Sequence, residues 1–247
     1  TIMERGDTVT YDGTAHTVSG YDVVSISNNL YHENDFTFVG DTAHQTVSGT
    51  NAGTYDMALS ASDFRNDNVN FSKVTFVIRN NTLKIDRKLL KLTSPSASKI
   101  YDGEALTATN LTIDGLVAAD AGKLTYEVTG TQTAVGKSNN TFNFTLDAAV
   151  RNNYDVMTTM GELEVTPVTN EIVVEITGNK VSEKYDGTAK TAEGYTYVVK
   201  CAGADAGSLY SDADFTFSGN AKVTENNAGE YLMGLDASQF TNKDNNT

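Results

Sequence analysis

With a single cysteine, Cys201, the chain cannot form an intramolecular disulfide, so it does not use the staples on which many small secreted domains depend. Tryptophan is absent and only two prolines occur. Thr, Asn, Asp and Gly are abundant, a balance that points to strands joined by tight turns. Basic side chains are also scarce, 18 Lys and Arg against 32 Asp and Glu, for a formal charge of -14. A field of that sign repels phosphate backbones and anionic lipid, which excludes nucleic acid and the membrane surface as expected partners. No apolar run approaches the roughly 18 residues that a membrane-spanning helix needs. The opening Thr1-Ile2-Met3-Glu4-Arg5 lacks the apolar core of a signal peptide. A segment from the middle of a longer secreted protein would share that feature.

Repetition comes next, because missing it misassigns the fold. The triplet Tyr-Asp-Gly occurs at Tyr11-Asp12-Gly13, Tyr101-Asp102-Gly103 and Tyr185-Asp186-Gly187. Its spacing is near the size of a small β-domain, so three modules are expected. The first and third match in order along their length. YDGTA at Tyr11 returns at Tyr185, DFTF at Asp35 returns at Asp214, and Asn51-Ala52-Gly53 returns as Asn227-Ala228-Gly229. YDMALSASDF from Tyr55 to Phe64 returns as YLMGLDASQF from Tyr231 to Phe240. The middle module is more distant. It keeps the triplet, a strand with Leu124, Tyr126 and Val128, another with Phe142, Phe144 and Leu146, and an ending NNYDV…GELEVT.

Apolar residues alternate with polar ones at Val74, Phe76 and Ile78, at Tyr55, Met57 and Leu59, and at Ile172, Val174 and Ile176. That period of two reads as half-buried antiparallel strands, with room for one helical turn at Ser60 to Phe64 and one at Asp236 to Phe240. The expected class is all-β: tandem immunoglobulin-like sandwich modules of six to eight strands in an elongated rod, with β-grasp-like modules as the alternative. The expected modules are 1–87, 88–166 (the divergent one) and 167–247, joined by linkers too short to act as flexible coils. Both ends read as cut. The first module opens on a shortened strand, and the third stops at the equivalent of Phe71, without a counterpart of 71–85.

The triplet is the candidate site, and its reading is structural. Gly supplies a positive φ, Asp bonds backbone amides two residues on, and Tyr lays its ring on the sheet edge with its hydroxyl in water. No catalytic, cofactor or metal site is expected. His16, His32 and His44 lie in the first module alone, and Lys190 replaces His16 in the third, so they read as solvated surface groups. Cys201 has no histidine in its module to activate it. Phosphate loops, HExxH and Cys/His metal spacings are missing. Glu33, Asp35, Asp212 and Asp214 read as loop charges rather than calcium ligands. Lys–Asn isopeptide bracing is unsupported: Thr1-Ile2-Met3 has no Lys, and Tyr154 to Val165 has no Asn.

YDGTA, the NAGxY strand and the NNY…GxLxV ending together resemble the YDG/MBG-type repeats of Gram-positive bacterial surface proteins, over essentially the whole chain. The resemblance implies tandem modules that project a binding region from the cell wall, with neighbouring modules of the same protein as partners. It carries over no catalytic residues. The expected role is therefore a non-catalytic stalk of an extracellular, wall-attached or secreted protein that supports adhesion. Two alternatives stand beside it. One is a module binding host glycan or protein through Tyr21, Tyr31, Tyr195, Tyr197 and Tyr210, weakened by the lack of tryptophan. The other is an accessory region of a large secreted carbohydrate-active enzyme.

Overall fold

The computed structural model describes residues 1–244. Strand accounts for 43% of it and helix for 11%, in small sheets that do not close into a barrel; the class is all-β. Among the described residues the α-helix is a single turn, Ala148–Arg151. The turns expected after Ser60 and Asp236 form as 3-10 turns, Ala61–Asp63 and Ala237–Gln239, each closed by a capping box. No helix among the described residues is long and apolar enough to cross a membrane.

Of the three alternating stretches, 172–176 lies within the strand Ile172–Gly178 with one side half-buried, whereas Met57 and Leu59 follow the strand Gly53–Asp56 and Val74 and Phe76 precede the strand Ile78–Arg79. In Thr82–Asp86 the side chains of Leu83 and Ile85 are buried while Lys84 is exposed, and in Glu162–Thr166 Leu163 and Val165 point inward in the same way. Pairing is less simple. In the first module the opening strand breaks into Ile2–Glu4 and Asp7–Thr10, and the closing strand into Ile78–Arg79 and Thr82–Asp86. Opening and closing strands run parallel, half against half. Tyr21–Val23 lies antiparallel outside the opening strand, and Gly53–Asp56 antiparallel outside the closing one.

The middle module repeats this order despite its divergent sequence. Lys88–Thr93 sits between antiparallel Thr112–Asp114 and parallel Tyr154–Thr159, and Glu162–Thr166 sits between parallel Ala97–Ile100 and antiparallel Gly136–Asn139. Alternation along the chain had suggested antiparallel pairing throughout. A first strand lying parallel beside the last gives instead the strand order of the β-grasp-like alternative. Strand pairs stay within 1–86, 88–166 and 172–242. By contact density the described chain forms two compact units. One comprises Thr1–Ser94, Asn110–Glu127 and Phe142–Thr159, and the other Pro95–Thr109, Val128–Thr141 and the residues from Met160 onward.

The break in the first opening strand has a visible cause. Glu4 is fully buried, and its two carboxylate oxygens accept from the backbone amides of Leu59 (3.3 Å) and Asn81 (2.9 Å). Asn81 lies at the break in the closing strand, so the carboxylate takes up the donor left there, together with the Leu59 amide from the loop after Gly53–Asp56. Around it Ile2, Leu59 and Phe64 are buried against Tyr21, Phe36, Phe38, Phe76 and Ile78. The rings meet mostly edge to face, as at Phe36–Phe76 (5.3 Å) and Tyr21–Phe64 (4.9 Å).

The third module repeats three pairs of the first, Ile2–Glu4 with Tyr21–Val23, His16–Ser19 with Thr46–Gly49 and Phe36–Phe38 with Phe64–Asn66, as Ile172–Gly178 with Tyr195–Cys201, Lys190–Glu193 with Lys222–Glu225, and Phe215–Phe217 with Phe240–Asn242. Its core holds Val199, Ala206, Tyr210 and Phe215. Among the described residues no strand lies parallel to Ile172–Gly178. The tyrosines expected to offer sugar-stacking faces are core residues instead. Tyr31 and Tyr210 are buried in equivalent places, their hydroxyls donating to Asp35 O and Asn66 Oδ1, and to Asp214 O and Asn242 Oδ1. Tyr21, Tyr195 and Tyr197 are half-buried in ring clusters. Ring area that packs into a core adds too much stability to be left facing water.

Candidate functional site: the Tyr-Asp-Gly turns

All three turns are built alike at the backbone. Gly13, Gly103 and Gly187 have φ of 82°, 82° and 79°, the left-handed region open to glycine. The preceding Asp accepts from the amide two residues on, Thr14, Glu104 or Thr188, at 2.9 Å in each case. Asp12 also takes the Thr14 hydroxyl and Nε2 of His16, which with the amide hold its carboxyl down to about 2. Asp186 takes the Thr188 hydroxyl and the Lys190 ammonium, Lys190 first among the causes that hold its carboxyl well below the usual range. His16 and Lys190, at equivalent positions, thus serve the equivalent aspartates Asp12 and Asp186. The Tyr amide completes the turn by donating to the end of the closing strand, Tyr11 to Asp86 O (2.9 Å) and Tyr101 to Thr166 O (2.8 Å).

Beyond the backbone the three turns differ, and the difference lies in the tyrosine. Tyr11 is only 4% exposed. Its hydroxyl donates to Oδ2 of Asp120 (2.9 Å), and the Tyr154 hydroxyl donates to the same oxygen (2.6 Å) while accepting from the amide of Val117 (3.1 Å). The two rings meet edge to face, with centroids 5.5 Å apart. Burial, then the bond to Asp120, pushes both phenols above their ordinary range. Beside them Asn153, also buried, accepts from the Ala52 amide (2.8 Å) and donates to Asn51 Oδ1 (3.0 Å). Tyr11, Asn51 and Ala52 belong to the first module, and Asp120, Asn153 and Tyr154 to the second. The motif's tyrosine and the Asn-Ala-Gly turn therefore form one side of a joint between successive modules.

Tyr101 is half-buried, and a Cβ on Gly103 would lie 3.0 Å from the carbonyl oxygen of Ser208 in the third module. Burial, then Asp244 and Asp214 of that module, raises the Tyr101 phenol. The third copy, Tyr185, is 69% exposed. The expectation that the tyrosine hydroxyl stays in water therefore describes Tyr185 but not Tyr11, where a neighbouring module supplies the acceptor.

Asp120, Asn153 and Tyr154 carry half of the joint, and the sequence reading did not single them out. A signal existed: Ala-Asp-Ala-Gly occurs at 119–122, where it holds Asp120, and again at 204–207, just before Ser208. His16 and His44 are less solvated than expected, each half-buried beside an aspartate, whereas His32 is exposed as expected. His44 Nδ1 is 2.8 Å from Oδ1 of buried Asp63. Burial pushes the Asp63 carboxyl up, but its bonds to His44 and Ser60 outweigh that and hold it below the usual range. Asp35 and Asp214 close the capping boxes of 3-10 turns, Asp35 accepting from the His32 amide and Asp214 from Ser211. Among the described residues no group of three or more His, Cys, Asp or Glu is placed to hold a metal.

A family model of the MBG domain matches residues 1–86 and 172–246. The chain belongs to the MBG domain family. The two matched stretches are the modules that resemble each other most in sequence. The middle module lies outside the match yet has the first MBG module's strand order. No curated protein and no solved structure matches the chain.

Proposed function

We propose that this MBG array is a non-catalytic structural region of a bacterial cell-surface protein, one that supports adhesion by holding successive modules in fixed register. The carrying observation is the use made of the repeated motif. Its most chemically able side chain, Tyr11, is spent on a buried contact with Asp120 and Tyr154 of the next module. In this copy the hydroxyl is closed to a soluble ligand, and the third copy, Tyr185, is the one that stays exposed. The acidic charge suits a solvated surface held away from phosphate and anionic lipid.

The test is replacement. In the full surface protein, residues 1–247 are exchanged for an unrelated all-β repeat array of matched length, and attachment of cells to host mucin is measured. Attachment is expected to persist. Its loss at equal surface display, or saturable binding of the purified chain to mucin glycans, overturns the proposal in favour of a binding module.

A further inference from the structure

In the first MBG module the chain enters and leaves by strands that lie side by side and run the same way. Ile2 and Met3 pair with Ile78 and Arg79, and Asp7 to Thr10 pair with Leu83 to Asp86. Backbone bonds cap this double run at both ends, the Ile2 amide donating to Val77 O (2.8 Å) and the Tyr11 amide to Asp86 O (2.9 Å). At the entry, Ile2–Glu4 lies between Tyr21–Val23 and Ile78–Arg79. At the exit, Thr82–Asp86 lies between Asp7–Thr10 and Gly53–Asp56. The two segments nearest entry and exit are therefore each gripped on both sides.

Parallel end strands meet traction in a particular way. Drawing Thr1 away from Asp86 drives the opening strand backward and the closing strand forward along one axis, so that all their pairs slide together and share the load. Antiparallel end strands would bring entry and exit to the same end of the pair, and the same pull would open them one pair at a time. The break that both strands share is the weak point of such a clamp, and Glu4 spans it. Its buried carboxylate, on the opening strand, accepts from the amide of Asn81 in the break of the closing strand (2.9 Å) and from that of Leu59 (3.3 Å). Gly6, in the break of the opening strand, permits the close approach, since a Cβ there would overlap the Asn81 side chain. A side chain thus ties the two strands where the ladder does not.

We infer that the first module is a load-bearing unit: it resists tension along the chain by shear of its opening strand against its closing strand, with Glu4 tying the two across the break. The middle module has parallel pairs in the same places, Lys88–Thr93 with Tyr154–Thr159 and Ala97–Ile100 with Glu162–Thr166. Resistance to force goes beyond holding modules in register. It rests on strand order and on Glu4, and it does not require that the chain serve adhesion.

The experiment stretches single molecules of the full 247-residue chain between thiol-attached handles, with Cys201→Ser so that only introduced thiols react. Handles at Thr1→Cys and Arg87→Cys load the module from entry to exit. Handles at Ala15→Cys and Arg87→Cys, both exposed positions, pull from one end of the parallel run and open the Thr10–Asp86 pair first. Forced opening is governed by the unfolding barrier, so the entry-to-exit pull is expected to need at least about twofold more force than the pull from one end. Equal forces in the two directions would overturn the inference. Glu4→Gln should lower the force between 1 and 87 and leave that between 15 and 87 unchanged, because the second pull starts at the far end of the ladder. Tyr31→Phe loses the hydroxyl bonds to Asp35 and Asn66, off the load path. It should lower stability in urea yet keep the force between 1 and 87. A force that falls with urea stability alike in both variants would show general stability at work and would overturn the inference as well.

Discussion

At the scale of single residues the chain shows how one motif can meet three fates. Tyr11, Tyr101 and Tyr185 sit on the same turn, yet the first is buried, the second half-buried and the third exposed. Tyr11→Phe removes one of the two phenol donors on the buried Asp120, and a hydrogen bond to a charged group is worth about 1.5–3 kcal/mol. Chemical unfolding of the full chain should register that loss, whereas Tyr185→Phe should stay within about 0.5 kcal/mol, as exposed substitutions do. The same phenols set a pH limit. Their folded pKa values are raised, so the stability they contribute is complete below the ordinary value of about 10 and is lost as pH rises through the folded values. A melting curve that weakens at alkaline pH in the native chain, and less in Tyr11→Phe, is the expected result. The aspartates act with opposite sign. Asp12, at about 2, and Asp63, also lowered, contribute stability that is present above about 4 and lost as pH falls toward the folded values. Melting temperatures measured between pH 5 and 2 should fall, and Asp63→Asn should flatten that fall.

At the scale of elements the decisive feature is the broken opening strand with its parallel partner. The Glu4 carboxylate, at the end of Ile2–Glu4, accepts from the amide of Asn81 at the break in the closing strand and from that of Leu59 in the loop after Gly53–Asp56. Glu4→Ala strands both donors in a closed interior, at a cost of about 1–3 kcal/mol each. Glu4→Gln keeps one acceptor oxygen and should lose less. Urea unfolding of the two variants checks the order, and equal losses would mean that Glu4 acts through packing alone. The Tyr-Asp-Gly turn is the second element that tolerates little change. Gly13 has φ of 82°, and a Cβ there would stand 2.8 Å from Cγ1 of Val117. Gly13→Ala therefore combines backbone strain with a clash in the joint, for a loss of about 1–3 kcal/mol. Gly187 has φ of 79° and nothing within 4 Å of such a Cβ, so Gly187→Ala carries the strain alone. The difference between the two losses measures the joint.

At the scale of the whole chain, closely similar modules are unequally closed. The first MBG module has its closing strand between two partners, while the equivalent surface of the third borders a groove of about 750 Å³. Amides that lack strand partners and apolar cover open at little cost. Exchange at 181–184 and 229–232 should therefore run at least about tenfold faster than at Asp7–Thr10 and Gly53–Asp56, after correction for intrinsic rates. Mass-resolved hydrogen exchange on the intact chain reads all four segments at once. Equal rates would show that pairing within a strand is not what protects these segments.

The triple motif, the order of matching segments, the alternation of Leu83 and Ile85 with polar neighbours, and the 3-10 turns after Ser60 and Asp236 were all legible in the sequence. These are local properties: the side-chain period, the φ that glycine permits, and the amide that an aspartate can reach depend on residues a few positions apart. Pairing was not legible in the same way. A period of two says that a strand has one buried face and is silent on whether its neighbour runs parallel, so the union of Ile2–Glu4 with Ile78–Arg79 emerged only in three dimensions. Exposure was equally beyond local reach. Tyr31 and Tyr210 read as surface rings and are buried, because the residues that cover and bond them, Asn66 and Asn242, lie some thirty positions away. Asp120 read as one more surface acid among 32 carboxylates. Only the fold, by bringing Tyr11 across 109 positions to meet it beside Tyr154, turned it into the buried centre of a joint.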